Sequence, residues 1–369
     1  MEIQHAIRLF KSIPWVFELR GTKRFEKEDP LIDFLACMRA GRRFPAKVWK
    51  AFTCTFALDN ERQAQVDPWF MQDNFRKGYG MAMHWETLAR WIPQRARRDA
   101  RELGVPLVFL QAVDECNTID REKAVRLLNV PNIHNTGHIH GVLPVHIGME
   151  VRFTAKLNSK LGLVQEQRAT VLSFLFQEDD QRRYQQCGPG MLFKPSYCPA
   201  GIWLEVHDFK DSPLWEDALA YVGHNEQRAR SLLLYRPVQT EFVWRSSEPH
   251  TVRRTGFPLT HASFLTSTAS QGQTLRKGIV IDCAMQENCG VHSSGDVEAR
   301  WWLHLYVMFS RVTCMRNMLL LRPPPRELLE KGLPPSVREA LWMFAEKITD
   351  STRMAASWAR ECGMSVPEK

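Results

Sequence analysis

No two cysteines of this chain stand at a Cys-x-x-Cys spacing, and their number, nine, is odd. Both facts argue against a disulfide framework and for free thiols in a reducing compartment. No apolar run approaches the ~18 residues that a membrane-spanning helix needs. The start, Met1-Glu2-Ile3-Gln4-His5, lacks the charged-then-apolar layout of a secretory signal. An intracellular, soluble protein with no membrane partner is expected. Internal repeats and low-complexity tracts are missing as well. No glycine is followed by lysine, which excludes the GxxxxGK[ST] loop, whose amides cradle phosphates while its lysine reaches the terminal ones.

What is present is enough for a sizeable core: 369 residues, 44% of them hydrophobic, suit two ordinary domains or one domain carrying an insertion. Lys+Arg number 49 against 41 Asp+Glu, a net +8. That excess suits a polyanionic partner, although an ordinary basic protein carries it too.

Asp29-Pro30 reads as a helix opening, a capping acid followed by proline at the first helical position. Leu31, Phe34, Leu35 and Met38 then share one face, and Gly41 ends the helix. A second helix from Pro45 is expected to bury Val48, Trp49 and Phe52. A third runs from Met83 to Leu103, interrupted at Pro93, and carries Arg90, Arg95, Arg97, Arg98 and Arg101. These arginines form either a solvated face or a phosphate-tracking stripe. Pro106–Val113 is a continuous apolar run, as in a buried strand of a parallel sheet, and Ile119–Leu128 is a short amphipathic helix. After about residue 140, the short β-branched and aromatic runs Val142–Ile147, Val151–Thr154, Ala169–Phe176, Ile202–Val206 and Ser231–Tyr235 predict a β-rich module. The polar stretch Gln177–Gln186 is expected to be an exposed loop. From about residue 256 strand and helix alternate again: a strand before Ser270, one at Ile279–Asp282, a helix over Val297–Phe309, a strand at Met318–Leu321, and a helical tail from Pro335.

Three short motifs carry chemistry. The first is Ser270-Gln271-Gly272-Gln273-Thr274-Leu275, followed by the apolar Gly278–Asp282. The glycine lets backbone approach a ligand, and glutamine can hydrogen-bond a phosphate or a base; alone, this would be an ordinary polar turn. The second is Leu305–Val312, ending Phe309-Ser310-Arg311-Val312. An arginine after a helix can neutralise charge on a transferring phosphoryl group, or can make a surface salt bridge. The third is Phe17–Phe25, with Arg24 before Phe25.

In this order and spacing the motifs resemble those of superfamily 1 DNA helicases of the PIF and RecD type, from about residue 15 to about 322. Leu143–Thr154 resembles the entry to that family's inserted small barrel. Leu161–Val171 resembles the next hairpin, with Gln165-Glu166 where most members carry Asn-Gly, and Ile202–Val206 resembles a later strand of the insert. The resemblance implies a RecA-like α/β domain with a parallel sheet, interrupted by a small β-barrel and followed by a helical tail. The expected segments are 1–139 and 251–325 for the RecA-like domain, 140–250 for the insert and 326–369 for the tail.

It further implies ATP-dependent movement on single-stranded or forked DNA, with RNA left open, and a nuclear or organellar place. Arg24 and Arg311 would act at the terminal phosphate, and Gln271 and Gly272 would couple nucleotide state to DNA. Ser270, Thr274, Gln165 and Arg168 would contact DNA. ATP and Mg would need the family's first RecA-like domain, which bears the P-loop and the magnesium acids, so this chain alone should not hydrolyse ATP. Val108–Glu115 imitates a strand ending in magnesium acids, but it lies on the wrong side of Arg24 for that family. Thr268 and Ala269 replace the family's usual His-Lys, which weakens the DNA contact expected there. The chain is then a part of a longer helicase, a DNA-binding remnant without a motor, or an interaction protein that keeps only the sheet.

Two sets of potential zinc ligands, His134, His138, His140 and His146, and Cys283, Cys289 and His292, have no recognised spacing. A polar loop and a buried thiol are the favoured readings of them, and no metal site is expected.

Overall fold

Asp29 caps the first helix as its sequence position demands. In the computed structural model, which describes residues 24–57, 75, 77–116, 119–156, 163–208, 216–245, 248–285 and 294–362, the Asp29 carboxylate accepts the Leu31 N–H at 2.9 Å. Gly41 closes the helix Pro30–Ala40 at φ 63°, a left-handed conformation that glycine adopts without a Cβ clash. Leu31, Phe34, Leu35 and Met38 are buried. The next helix, Ala46–Thr53, buries Val48 and Phe52, while Trp49 stays half-buried.

The chain divides into two compact units, each drawn from separate stretches. One comprises the described parts of Met1–Phe56, Ala284–Met318 and Arg322–Lys369. Aromatic rings knit it together. Phe34 stacks on Phe52 at 4.1 Å and on Phe44 at 4.8 Å, and meets the edge of Phe309, the last residue of the helix Ser294–Phe309, at 5.8 Å. The tail helix, Pro335–Glu361, belongs to the same unit.

The other unit, Ala57–Cys283 with Leu319–Leu321, is built around a four-stranded sheet. Its order is Phe264–Thr266, Tyr79–Ala82, Ile279–Asp282, Met318–Leu321. Tyr79–Ala82 runs parallel to both of its neighbours, and Ile279–Asp282 is buried throughout, as a strand covered on both faces must be. Gly78 permits the close approach where the interior strands Tyr79–Ala82 and Ile279–Asp282 begin to pair. A Cβ there would lie 2.1 Å from the Gly278 carbonyl oxygen, which accepts the Tyr79 N–H at 2.8 Å. Trp85, Leu88 and Ile92 of the helix Trp85–Leu103 share a core with Phe264, Val280 and Leu319.

Between Tyr79–Ala82 and Phe264–Thr266 the chain builds a five-stranded antiparallel sheet. Its order is Leu259–His261, Glu150–Phe153, Arg168–Leu175, Gly201–Val206, Leu232–Tyr235. Phe153 and Tyr235 lie three strand spacings apart, roughly 14 Å in a flat sheet, yet their ring centroids are 5.4 Å apart. The sheet must therefore curl on itself. A register shift between Val171 and Ser173 marks an irregularity of the kind that bends a strand.

Several expectations need correction. The helix Trp85–Leu103 continues through Pro93, because buried residues on both sides of the proline, Ile92 before it and Ala96 after it, hold the two halves in line. Arg95 and Arg98 on that helix are buried rather than solvated: Arg95 bonds Asp99 at 2.6 Å and the Gly78 carbonyl at 3.3 Å, and Arg98 pairs with Asp99 at 3.1 Å. The apolar run at Pro106 forms the strand Leu107–Gln111 outside the four-stranded sheet. It pairs antiparallel with Val142–Val145 and parallel with Leu192–Phe193; an apolar run shows that a strand is buried, not which partner it takes. Gln177–Gln186 contains the helix Glu178–Gln185. Asp180, only 2% exposed, anchors it by accepting the Ser196 N–H at 2.8 Å and the Tyr197 N–H at 3.2 Å. A long hairpin, Val238–Arg245 with Pro249–Gly256, had no counterpart in the sequence reading. Among the described residues no helix is long and apolar enough to cross a membrane.

Candidate functional site

Arg24 and Arg311 meet at one residue. Arg24 donates from Nη1 to the Ser310 carbonyl at 2.8 Å, and Arg311 donates from Nη2 to the Ser310 hydroxyl at 2.7 Å. The hydroxyl in turn donates to the Val307 carbonyl at 2.8 Å, fixing the last turn of the helix Ser294–Phe309 beneath both guanidiniums. Both arginines line a cleft of about 750 Å³ within the first unit. Arg39 and Arg338 line it too, with Tyr306 and Trp342, and among the described residues no carboxylate does. Burial, and then the neighbouring charge of Arg24, hold the Arg311 guanidinium below its ordinary pKa. Four arginines lining one cleft, with no carboxylate among its described lining residues, favour an anion there. Of the Phe17–Phe25 motif, Phe17–Lys23 lie outside the described residues.

The Ser270–Leu275 loop belongs to the second unit. Ser270 is fully buried, and its hydroxyl donates to the Ser267 carbonyl at 2.7 Å. It therefore shapes the loop from inside rather than meeting a ligand at the surface. Gln271 and Thr274 are exposed. Gly272 stands at φ 79° with nothing within 4 Å of the Cβ it lacks, so conformation and not space requires glycine there.

Arg168, from the strand Arg168–Leu175, reaches this loop. It donates to the Gln273 side-chain oxygen at 3.2 Å and to the Tyr79 hydroxyl at 3.1 Å, with its guanidinium 5.4 Å from the centre of the Tyr79 ring. The structure thus joins two regions that the sequence named separately. Neither Tyr79 nor Gln273 was singled out as a contact from sequence, since each gains its partner only by folding. Gln165 is exposed in the turn beside Glu166, while Leu161 and Gly162 of that hairpin lie outside the described residues.

Glu166 has φ 70°, the left-handed conformation that glycine would adopt in the Asn-Gly of the resembling hairpins. Its carboxylate is gripped by Arg152 at 2.5 and 2.6 Å. Arg152, 2% exposed, also donates to the Phe264 carbonyl at 3.1 Å. Burial pushes the Glu166 carboxyl up and the Arg152 guanidinium down, each against the pull of the other. Asp114, the acid in the false magnesium motif, pairs with fully buried Arg254 at 2.6 Å.

The histidine set is spread among separate partners. His134 and His138 rings meet edge-on at 5.0 Å, His140 Nε2 lies 3.1 Å from the Thr260 hydroxyl, and His146 Nδ1 donates to the Ile147 carbonyl at 2.9 Å. Cys283 is buried, and Cys289 and His292 lie outside the described residues. Among the described residues the one group with converging ligand atoms is Glu26, Asp29 and Cys314. Two of its members are committed elsewhere: Asp29 caps a helix and Glu26 pairs with Arg316 at 3.0 Å.

No family model and no curated protein matches the chain. Solved structures do. Bacteroides Pif1 bound to ssDNA is 12% identical with a TM-score of 0.51, over 89% of this chain and 56% of that one. Pif1 from Bacteroides in complex with ADP-AlF3 and ssDNA is 13% identical with a TM-score of 0.50, again over 89% and 56%. Pif1 helicase from Candida albicans is 17% identical with a TM-score of 0.46, over 88% of this chain and 59% of that one. The chain therefore spans less than two thirds of these proteins. At such identities the likeness concerns the fold alone: a mixed α/β fold with a parallel sheet, like that of the Bacteroides Pif1 structures.

Proposed function

We propose that this chain is the arginine-supplying part of an ATP-dependent DNA helicase, working with a P-loop domain and moving on single-stranded DNA. The observation that carries the reading is the cleft in which Arg24 and Arg311 share Ser310, with no carboxylate among its described lining residues. The guanidiniums fit the terminal phosphates of ATP, whose hydrolysis would supply the energy for movement. Among its described residues the lining offers magnesium no carboxylate, so Mg would have to be held by the P-loop domain. Ser310 positions both arginines, and closing them on the phosphates would bind, orient and neutralise the transferring group.

Gln271, Gly272, Thr274, Gln165 and Arg168 are the proposed route from nucleotide state to DNA. The Arg168–Gln273 bond supports it, because it ties the loop to a strand of the curled sheet. Single-stranded DNA as partner, and nucleotide as ligand, are favoured by the complexes of the similar Bacteroides structures.

The test joins this chain to a P-loop domain on one polypeptide. Arg311→Ala should then lower DNA-stimulated ATPase by roughly 10³-fold or more while single-strand binding persists. Turnover that survives the change overturns the arginine assignment. The second reading, a DNA-binding protein without a motor, is favoured by the absence of any Gly-Lys pair in the chain. The native polypeptide's intact mass decides between them: a mass of 42.8 kDa supports the motor-less protein, and a larger one with P-loop peptides supports the helicase.

A further inference from the structure

Three of the cleft's lining residues, Arg338, Leu341 and Trp342, come from the tail helix, a segment outside the family resemblance. Arg338 and Trp342 stand four residues apart, so both project from the same face of Pro335–Glu361. Trp342 is 68% exposed, an unusual position for the largest apolar side chain. Arg338 sits near the start of its helix, where the helix dipole disfavours a cation. It spends one nitrogen on the Leu333 carbonyl at 3.0 Å, and among the described residues it has no acidic partner. The Arg39 side chain has no hydrogen bond or ion pair among the described residues. The cleft thus combines the guanidiniums of Arg39 and Arg338, which have no acidic partner among the described residues, with a flat aromatic face, in a volume of about 750 Å³ that matches small-molecule sites.

Phosphate alone would explain the arginines but not the tryptophan, and an apolar ligand would explain the tryptophan but not the arginines. A nucleoside polyphosphate has both an anionic chain and a stacking base. We infer that the tail helix completes a nucleoside-polyphosphate site in this chain by itself, with Arg338 and Arg39 holding phosphate oxygens beside Arg24 and Arg311, and Trp342 stacking on the base. This deepens the proposed function, and rests on it for the roles of Arg24 and Arg311.

The test uses the full chain and a fluorescent ATP analogue read by anisotropy, with unlabelled ATP and inorganic tripolyphosphate as competitors. ATP should compete about tenfold better than tripolyphosphate, the difference being the stacked base. Trp342→Ala should remove that difference, and Trp342→Phe should restore most of it. Arg338→Gln should weaken both competitors by about tenfold. Trp358→Ala, on the same helix but away from the cleft, should leave both unchanged. Equal thermal unfolding of the variants shows that the fold is intact. If neither competitor displaces the analogue, or if Arg338→Gln and Trp342→Ala bind like the parent chain, the tail-helix site is overturned. The arginine reading is judged separately by Arg311→Ala in the chain joined to a P-loop domain, so the two can fail independently.

Discussion

Glu166 carries two opposing effects. Its left-handed backbone costs roughly 1 kcal/mol that glycine would not pay, while its carboxylate neutralises an arginine that is almost wholly buried. Leaving a buried charge unpaired costs about 3–5 kcal/mol, so the ion pair dominates. Glu166→Gly is therefore expected to lower stability by roughly 2–4 kcal/mol in urea unfolding, despite relieving the turn. A variant as stable as the parent would show that Arg152 does not depend on Glu166. His140 makes the second prediction at this scale. Burial first, and then the charges of Arg152 and Arg254, lower its pKa from 6.5 to about 4. A depressed folded pKa means that the unfolded chain binds the proton first. Stability is full above pH 6.5 and declines as pH falls towards 4, by roughly 3 kcal/mol for this group. His134, His146 and His261 are also held low by burial and act in the same direction. His140→Gln should flatten the decline between pH 6.5 and 4 in urea unfolding; an unchanged slope would remove His140 from the account.

Helices show where local chemistry and tertiary packing agree and where they part. Asp29 is readable from sequence as a cap, yet its carboxylate oxygen also accepts the Met315 N–H at 3.0 Å, from the far end of the chain. Asp29→Ala should cost more than the ~1 kcal/mol of an ordinary cap, roughly 2 kcal/mol with the Met315 amide left unsatisfied. Asp29→Asn, which keeps an acceptor oxygen, should recover most of it. Thermal unfolding decides, and equal stabilities of the alanine variant and the parent would show that the cap is dispensable. Pro93 and the helix arginines show the opposite. Periodicity placed the helix correctly, but its continuation through proline and the burial of Arg95 and Arg98 depend on Asp99, Gly78 and the core beneath.

At the scale of the molecule, a net +8 and the proposed contacts at Arg168, Gln165, Gln271 and Thr274 make salt the natural probe. Arg168 is the one cation among these contacts, so its contact alone should make single-strand binding fall roughly threefold between 50 and 200 mM salt. Arg168→Ala should lower the slope of log affinity against log salt by about 0.7 if this side chain meets a phosphate. An unchanged slope would leave Arg168 only its internal bonds to Gln273 and Tyr79. Much of the candidate site was legible in the sequence, because Arg24, Arg311 and the Ser270–Leu275 loop sit in short motifs. Arg39, Arg338, Tyr306 and Trp342 were not, since an arginine or an aromatic on a helix carries no mark of the cleft that it will line.

The sequence by itself determined the α/β class, most of the strands and helices, the caps at Asp29 and Gly41, and the resemblance that the Pif1-like fold bears out. These rest on interactions between near neighbours or on short motifs, and both are written in consecutive residues. Tertiary structure alone decided that Arg24 and Arg311 share Ser310, that Arg168 grips the Gln273 loop, that Asp180 anchors a helix, and that the strand Leu107–Gln111 pairs outside the parallel sheet. Each of these depends on groups distant along the chain, and for a charged or hydrogen-bonding side chain it is the partner brought near by folding, not its own identity, that sets whether it is buried, paired or available.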